Sequence, residues 1–210
     1  MFVGHYGAAF LAKRVQPKAP LWALLLAVMW VDVVWAILVL AGVERARLDP
    51  SLSGFPVELE HMPFTHGLVA TAVWALLAWV VARYAFGWSG GVAAVVGAAV
   101  ASHWFHDLPV HRADLPLVWS EPKLGLGLWN HPMPELALEL GWLLATITLL
   151  VRSGTLDQPT QARIWRLAIG LVVAQLAMTF GPVPPAITPL AITALLTFVA
   201  IPWFGHRASA

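Results

Sequence analysis

Long apolar runs separated by short polar stretches dominate the chain, and most runs are close to the length of a membrane span. About 20 apolar residues in a helix are needed to cross the hydrocarbon core of a bilayer. Six runs approach or exceed that length: Leu21–Val43, Gly67–Phe86, Ser89–Phe105, Leu136–Val151, Ile164–Gly181 and Ala186–Phe204. A shorter apolar stretch precedes Pro17. The pattern predicts an all-α transmembrane bundle of about six spanning helices plus a short N-terminal helix.

Two longer polar stretches, residues 44–66 and 106–135, interrupt this pattern. If the N-terminus is cytoplasmic, both stretches face outward and most Lys and Arg residues lie inside, as the positive-inside rule favours. We therefore expect a multi-pass protein of a bacterial inner (cytoplasmic) membrane with any site toward the outer side. Residues 1–210 form a single integral domain in this interpretation: residues 1–151 contain the site, and residues 152–210 supply two scaffold helices.

Composition supports a membrane protein and removes several function classes. The 210 residues are 60% hydrophobic and 11% charged, with a mean hydropathy of +0.76. A net charge of +1 gives no concentrated basic face for nucleic acid. The absence of cysteine excludes disulfides and thiolate ligands, so a metal would need nitrogen and oxygen donors. The first ten residues lack the pattern of a signal peptide, and we expect them in the mature protein.

Asp32 stands in the middle of the apolar segment "LLLAVMWVDVVWAILVL". A carboxylate at this depth costs about 2.5–3.5 kcal/mol, so it normally faces a partner or a wet cavity. Asp32 and His5 both lie on the order of 12–17 Å from the inner interface, counted along two helices that rise from one Pro-marked turn. We expect them at similar depth as co-ligands of a metal; the alternative is a packing hydrogen bond from Asp32 to Ser, Thr or Trp.

The segment "SHWFHD" places His103 and Asp107 four residues apart, on one face of a helix, where both can reach a single ion. His106 points about 100° away from Asp107 and is a poorer candidate. Pro109 is expected to end this helix. In "HMPFTHGL", His66 opens a span and is favoured over His61, which lies in the loop.

Further ionisable residues surround these segments. Glu139 lies about one turn inside an apolar run, where a metal or a metal-bound histidine would account for a carboxylate. Glu44 is expected to pair with Arg45, Arg47 or Arg112. Several others belong to the outer loop or the interface: His111, Asp114, His131 and Glu135. A His and carboxylate donor set without thiolates suits Zn²⁺, with Mn²⁺ or Fe²⁺ as alternatives, and its size indicates one or two ions.

At these residues the chain resembles the bacterial membrane-bound metal-dependent hydrolases, and the resemblance covers roughly the first two-thirds of the sequence. The motifs "GHYGAAFLAKR", "WVDVVW", "GVER", "MPFTHGL", "SHWFHD", "HRADLPL" and "ELALE" carry it. The motif order is similar to that of zinc-dependent phospholipase C and single-strand-specific zinc nucleases. The resemblance implies these ligands: His5, Asp32, His66 or His61, His103, Asp107 and His111, followed by His131 with Glu135, or by Glu139.

The leading hypothesis is a membrane-embedded metal-dependent hydrolase that cleaves an ester or phosphoester, with a lipid-like substrate, through a metal-activated water. Glu139 or Asp114 would act as general base, and His111 with Arg112 would neutralise a phosphate or leaving group. A lipid amidase would use the same metal water. A divalent cation or proton transporter, or a binding protein, is the second class, and a helix-anchoring scaffold protein is the third. The expected partners are the bilayer and a small or lipid-like ester.

Overall fold

The computed structural model describes residues 1–209, and most of these residues are helical. The seven α-helices in this range are α1 (Val3–Val15), α2 (Leu21–Leu40), α3 (Leu68–Val80), α4 (Gly90–Val110), α5 (Pro132–Val151), α6 (Gln158–Phe180) and α7 (Ile187–Ser209). A single π-helical turn, Val81–Ala85, continues α3. The predicted helical bundle is therefore present in outline.

Local sequence signals account for several of the helix ends. The Ser89 side chain accepts a hydrogen bond from the backbone N–H of Val92 at the start of α4. The Asp157 carboxylate does the same for Thr160 at the start of α6, at 2.9 Å. Both residues satisfy N–H groups that have no partner within the helix. Between α3 and α4, Gly87 adopts φ +65°, a left-handed conformation that favours glycine.

Five helical segments are long and apolar enough to cross a membrane: Leu21–Leu40, Leu68–Ala85, Pro132–Val151, Gln158–Phe180 and Ile187–His206. Helix α4, which covers the predicted span Ser89–Phe105, has 21 residues but is not among them, because its C-terminal half carries polar residues. The composition and length of these segments identify a membrane protein, in agreement with the sequence analysis.

Two small β-hairpins depart from the all-α expectation. Strand β1 (Arg45–Leu48) pairs antiparallel with β2 (Val57–His61), and β3 (Leu115–Val118) pairs with β4 (Glu121–Leu124). They occupy the two polar stretches that separate α2 from α3 and α4 from α5. Pairing the strands satisfies backbone groups that would otherwise need water or other partners. One further expectation is corrected: Pro109 does not end α4 itself but lies within its last turn, before Val110.

Arg112 joins the two polar stretches. Its guanidinium donates hydrogen bonds to the Asn130 side chain at 2.8 Å and to the carbonyls of Ser53 and Phe55 at 2.8 and 3.0 Å. It also stacks over the Trp129 ring, 5.9 Å from the centroid. These contacts give Arg112 a structural role in holding the loops together.

Helix α1 is buried in the bundle and is too short to cross it. Every residue from Val3 to Phe10 is buried, and α1 packs against α2, α4 and α5. Gly7 permits the close approach to α5, because an added Cβ would lie 2.5 Å from the Trp142 ring. The helix therefore enters the bundle with its N-terminal end innermost, at the level of Asp107 and Glu139.

Candidate metal centre

Six side chains from four parts of the chain converge inside the bundle; we call them the donor cluster. They form two groups, and within each group the potential ligand atoms lie within 4.8 Å of one another. The first group is His5, Asp32 and His103, and the second is His66, Asp107 and His111. Helices α1, α2 and α4 supply four of these residues, His66 precedes α3, and His111 follows α4. The five residues predicted as metal ligands all belong to the cluster.

Asp107 lies at the centre of the donor cluster. Its Oδ1 atom is 3.1 Å from His5 Nε2 and 3.5 Å from His111 Nε2, and its Oδ2 atom is 3.1 Å from His103 Nε2. The α-amine of Met1 donates to Oδ1 at 2.7 Å. The side chain is 1% exposed. A buried carboxylate facing this many nitrogen atoms can bridge two positive centres.

Asp32 completes the cluster from α2. Its Oδ1 atom is 3.2 Å from His66 Nε2 and 3.6 Å from His103 Nε2. The side chain is 14% exposed, whereas the four clustered histidines are 4% exposed or less. Asp32 and His5 do share one group, as their equal depth along two helices from the Pro17 turn predicts. The cluster meets solvent-accessible space at Asp32.

Two of the histidines have an assigned proton on Nδ1. His103 Nδ1 lies 2.8 Å from the Val28 carbonyl oxygen, and His111 Nδ1 lies 2.9 Å from Asp114 Oδ1. Because a carbonyl and a carboxylate only accept, each Nδ1 must carry the hydrogen. In the neutral ring the lone pair of Nε2 then faces carboxylate oxygens. The nitrogen and the oxygens are both hydrogen-bond acceptors, so they repel each other unless a cation lies between them.

His111 illustrates this need for positive charge. Burial works against its protonation, but the neighbouring Asp107 and Asp114 carboxylates outweigh burial and raise the pKa of the imidazole. A proton or a metal ion on Nε2 would balance the negative charge of these two carboxylates. Asp114, predicted as a general base, therefore orients His111.

Glu139 holds the start of α1. Its carboxylate accepts hydrogen bonds from the backbone N–H groups of Phe2, at 3.0 and 2.9 Å, and of Gly4, at 2.9 Å. The Val3 N–H is 3.5 Å from the Gln175 side-chain oxygen on α6. These contacts satisfy donors that the first turn of a helix leaves unpaired, and they place a negative charge at the positive end of α1. Glu139 thereby positions His5, one residue beyond Gly4.

Besides Glu139, Asp114 and Glu44, four predicted or considered residues lie outside the two groups. His61 ends β2 and lines a shallow cleft with Asp114 and Lys123. His131 is exposed at the N-cap of α5. Glu135 is buried on α5, one turn before Glu139. His106, predicted to be the poorer ligand candidate, bonds the Ser102 carbonyl through Nδ1. Between His61 and His66, the geometry places His66 in the cluster.

Glu44 does not make the predicted arginine pair within the described part of the chain. Its Oε1 accepts from the N–H groups of Phe64 and Thr65 at 2.9 and 3.1 Å, and its Oε2 accepts from the Thr65 hydroxyl at 2.7 Å. The Thr65 hydroxyl is also 3.0 Å from His66 Nδ1. Glu44 therefore contacts the donor cluster indirectly, through Thr65, although Thr65 follows Glu44 by 21 residues in the sequence.

Sequence reasoning missed Gln175 and Thr65. Gln175 is completely buried, a polar amide in the apolar segment "LVVAQLAM" of α6. A polar residue within a membrane span indicates a buried partner or a functional site. The search for site residues in α6 was limited to acidic residues and histidines. Thr65 gives no signal beyond its position next to His66.

The donor chemistry fits a divalent metal. Each group offers two imidazole nitrogens and one carboxylate, the kind of donor set found in catalytic zinc sites with three protein ligands and one open position. The buried atoms His103 Nε2 and Asp107 Oδ2 lie 3.1 Å apart, but neither makes a well-formed hydrogen bond. Searches against family models, curated proteins and solved structures found no match to this chain. Any function must therefore be argued from the site.

Proposed function

We propose that this protein is a membrane-embedded metal-dependent hydrolase that acts on an ester or phosphoester, with a lipid-like substrate. We further propose that it resides in a bacterial inner membrane, with a cytoplasmic N-terminus and the donor cluster toward the outer side. The resemblance of its motifs to the membrane-bound metal-dependent hydrolases supports the same assignment.

The observation that carries the proposal is the convergence of four imidazole Nε2 atoms on two carboxylates, the buried Asp107 and the partly buried Asp32. Such a cluster is costly to bury unless cations neutralise it. Two groups of three donors match one or two ions, and imidazole with carboxylate suits Zn²⁺, with Mn²⁺ or Fe²⁺ as alternatives. When bound, the metal would lower the pKa of a coordinated water toward 7 and so supply a nucleophile at neutral pH.

The protein residues have distinct tasks in this proposal. The four histidines and two aspartates hold the charge in place, and acceptors behind the rings of His66, His103 and His111 keep their Nε2 atoms directed inward. Of the two predicted general bases, Glu139 is occupied by backbone N–H groups. Asp114 is better placed for proton transfer, because it contacts His111 and also lines the cleft between the hairpins.

The test is metal content by elemental analysis of protein purified in detergent without chelators. We expect stoichiometric metal in the wild type, and its loss in Asp32→Ala, His103→Ala and Asp107→Ala. His131→Ala is the matched control, since it removes an exposed histidine outside the cluster. The metal-loaded protein is then assayed with p-nitrophenyl acyl esters, bis-p-nitrophenyl phosphate, phosphatidylcholine and a lipid amide.

The outcomes separate the candidate functions. Metal-dependent turnover of an ester or phosphoester that is lost with Asp107→Ala supports the proposal. Turnover of the amide alone would point to a lipid amidase. Bound metal without any turnover would favour a binding or transport protein, and a metal-free wild type would overturn the metal site itself.

A further inference from the structure

A buried carboxylate just before the first hairpin begins a short hydrogen-bond chain that ends in the donor cluster. Glu44 is 1% exposed and immediately precedes β1. Its carboxylate accepts hydrogen bonds from the N–H groups of Phe64 and Thr65 and from the hydroxyl of Thr65. The segment before α3 is thus bonded to Glu44 at three points, and His66 is the next residue along the chain.

The direction of each hydrogen bond in this chain follows from the chemistry of its members. The Thr65 hydroxyl has a single hydrogen, and it donates that hydrogen to Glu44 Oε2 at 2.7 Å. Toward His66 Nδ1, 3.0 Å away, the same oxygen can then only accept. His66 Nδ1 must therefore carry the proton, and in the neutral ring Nε2 has the lone pair.

The lone pair of His66 Nε2 faces Asp32 Oδ1 at 3.2 Å and Asp107 Oδ2 at 4.0 Å. In the absence of Glu44, the other tautomer would be the better one, because an Nε2–H group could donate directly to Asp32. Glu44 opposes that preference through Thr65. His103 and His111 are held in the same tautomer by direct bonds to Val28 and Asp114.

We propose that Glu44 is a positioning residue that sets the tautomer of His66 through the Thr65 hydroxyl. The lone pair of Nε2 is thereby kept free to coordinate a cation. The link to a cation rests on the proposed metal site, but the tautomer itself does not. Partners of this kind behind a metal-binding imidazole typically change metal affinity by about 10–100-fold when they are removed.

The substitution Glu44→Gln reverses the chain with little change in shape. The glutamine oxygen must remain toward the N–H groups of Phe64 and Thr65, which leaves the NH₂ group facing the Thr65 hydroxyl. That hydroxyl then accepts from the glutamine and donates its hydrogen to His66 Nδ1. We expect His66 to switch to the Nε2–H tautomer in this variant.

The experiment measures ring ¹⁵N shifts of histidine-labelled protein in detergent, kept metal-free with chelator, and assigns His66 with the His66→Gln variant. The wild type should show Nδ1–H at His66, and Glu44→Gln should show Nε2–H. Zinc affinity, measured by competition with a chelating dye, should fall about 10–100-fold in Glu44→Gln. Glu58→Gln is the control, because Glu58 is a 43% exposed carboxylate on the same hairpin.

Two Thr65 variants keep the test decisive if Glu44→Gln does not fold. Thr65→Val removes the hydroxyl and should also switch the tautomer, whereas Thr65→Ser retains the hydroxyl and should preserve the wild-type state. A wild-type His66 with Nε2–H, or a tautomer unchanged in both Glu44→Gln and Thr65→Val, would overturn the inference even if zinc binds. If Glu44→Gln switches the tautomer but the wild-type protein binds no zinc, manganese or iron, the hydrogen-bond chain is upheld and the proposed function is overturned.

Discussion

Helices α2 and α3 are both strongly apolar, yet they occupy different environments. Of the 18-residue apolar segment of α2, 61% of the residues are buried within the protein, whereas only 11% are buried in the corresponding segment formed by α3 and its π-helical turn. Helix α2 packs against α1, α4 and α7 and carries Asp32 into the donor cluster. Helix α3 packs mainly on α4 and contributes mainly the position of His66 at its start.

This comparison shows that hydropathy cannot separate inner from outer helices in a membrane protein. An apolar side chain is equally well placed against lipid and against another helix, so both surfaces have the same composition. Polar groups and glycines are more informative, because they need specific partners or close approach. Asp32, Glu139, Gln175 and Gly7 identify the inner faces of α2, α5, α6 and α1.

The largest expected effect is at Glu139, which holds the inner end of α1. Glu139→Ala leaves the buried N–H groups of Phe2 and Gly4 without acceptors and should lower the free energy of unfolding by on the order of 3–6 kcal/mol. Glu139→Gln should cost less, since it keeps one acceptor. Denaturant unfolding in detergent measures both.

Glu135→Ala is the control on the same helix, as no backbone N–H from α1 bonds Glu135 within residues 1–209. An equal loss of stability in Glu135→Ala and Glu139→Ala would contradict the assigned role of Glu139.

A matched pair of isoleucines compares the inner and outer faces directly. Ile147 on α5 is fully buried, whereas Ile169 on α6 is 63% exposed. Ile147→Ala should cost about 2–5 kcal/mol through lost contacts and a residual cavity, and Ile169→Ala less than about 0.5 kcal/mol. Unfolding in detergent tests both variants, and a comparable cost at the two positions would mean that the exposed face of α6 packs against protein in solution.

A pair of glycines tests the close contact of α1 with α5. Gly7→Ala would bring its new Cβ within 2.5 Å of Trp142 and should cost about 1–3 kcal/mol. Gly141→Ala, on α5, places its Cβ in open space and should stabilise the helix by about 0.5–1 kcal/mol. Thermal unfolding of the two variants should therefore shift in opposite directions. Shifts in the same direction would show that α1 does not approach α5 this closely.

The smallest expected effect is at Asp157, which caps the outer helix α6. The hydrogen bonds from Thr160 hold the pKa of the Asp157 carboxyl below its ordinary value of 3.8. A lowered folded-state pKa means that the ionised cap stabilises the protein above pH 3.8, and that this contribution is lost as the pH falls through the lower, folded-state value. The melting temperature of wild type should exceed that of Asp157→Asn at pH 6, and the gap should narrow below pH 4. A gap independent of pH would contradict this.

Much of the site could be predicted because its donors follow simple rules along single helices. The four-residue spacing of His103 and Asp107 puts both on one face of α4, and the common turn at Pro17 puts His5 and Asp32 at one depth. The hairpins were not predicted, since their strands are only four or five residues long, and the alternation in "RARL" and "VELEH" is too short to stand out within a polar stretch. The role of Glu44 was misjudged because an arginine lies beside it in sequence.

The sequence by itself determined the apolar helices, the membrane environment and the inventory of nitrogen and oxygen donors. These properties depend on composition and on spacing within one helix, which residues close in sequence decide. Only the tertiary structure decided that Glu139 and Gln175 bond the start of α1, and that Glu44 acts on His66 through Thr65. A buried N–H or imidazole must be paired by whichever acceptor the packing of distant segments places beside it, and that choice is not encoded in local pattern.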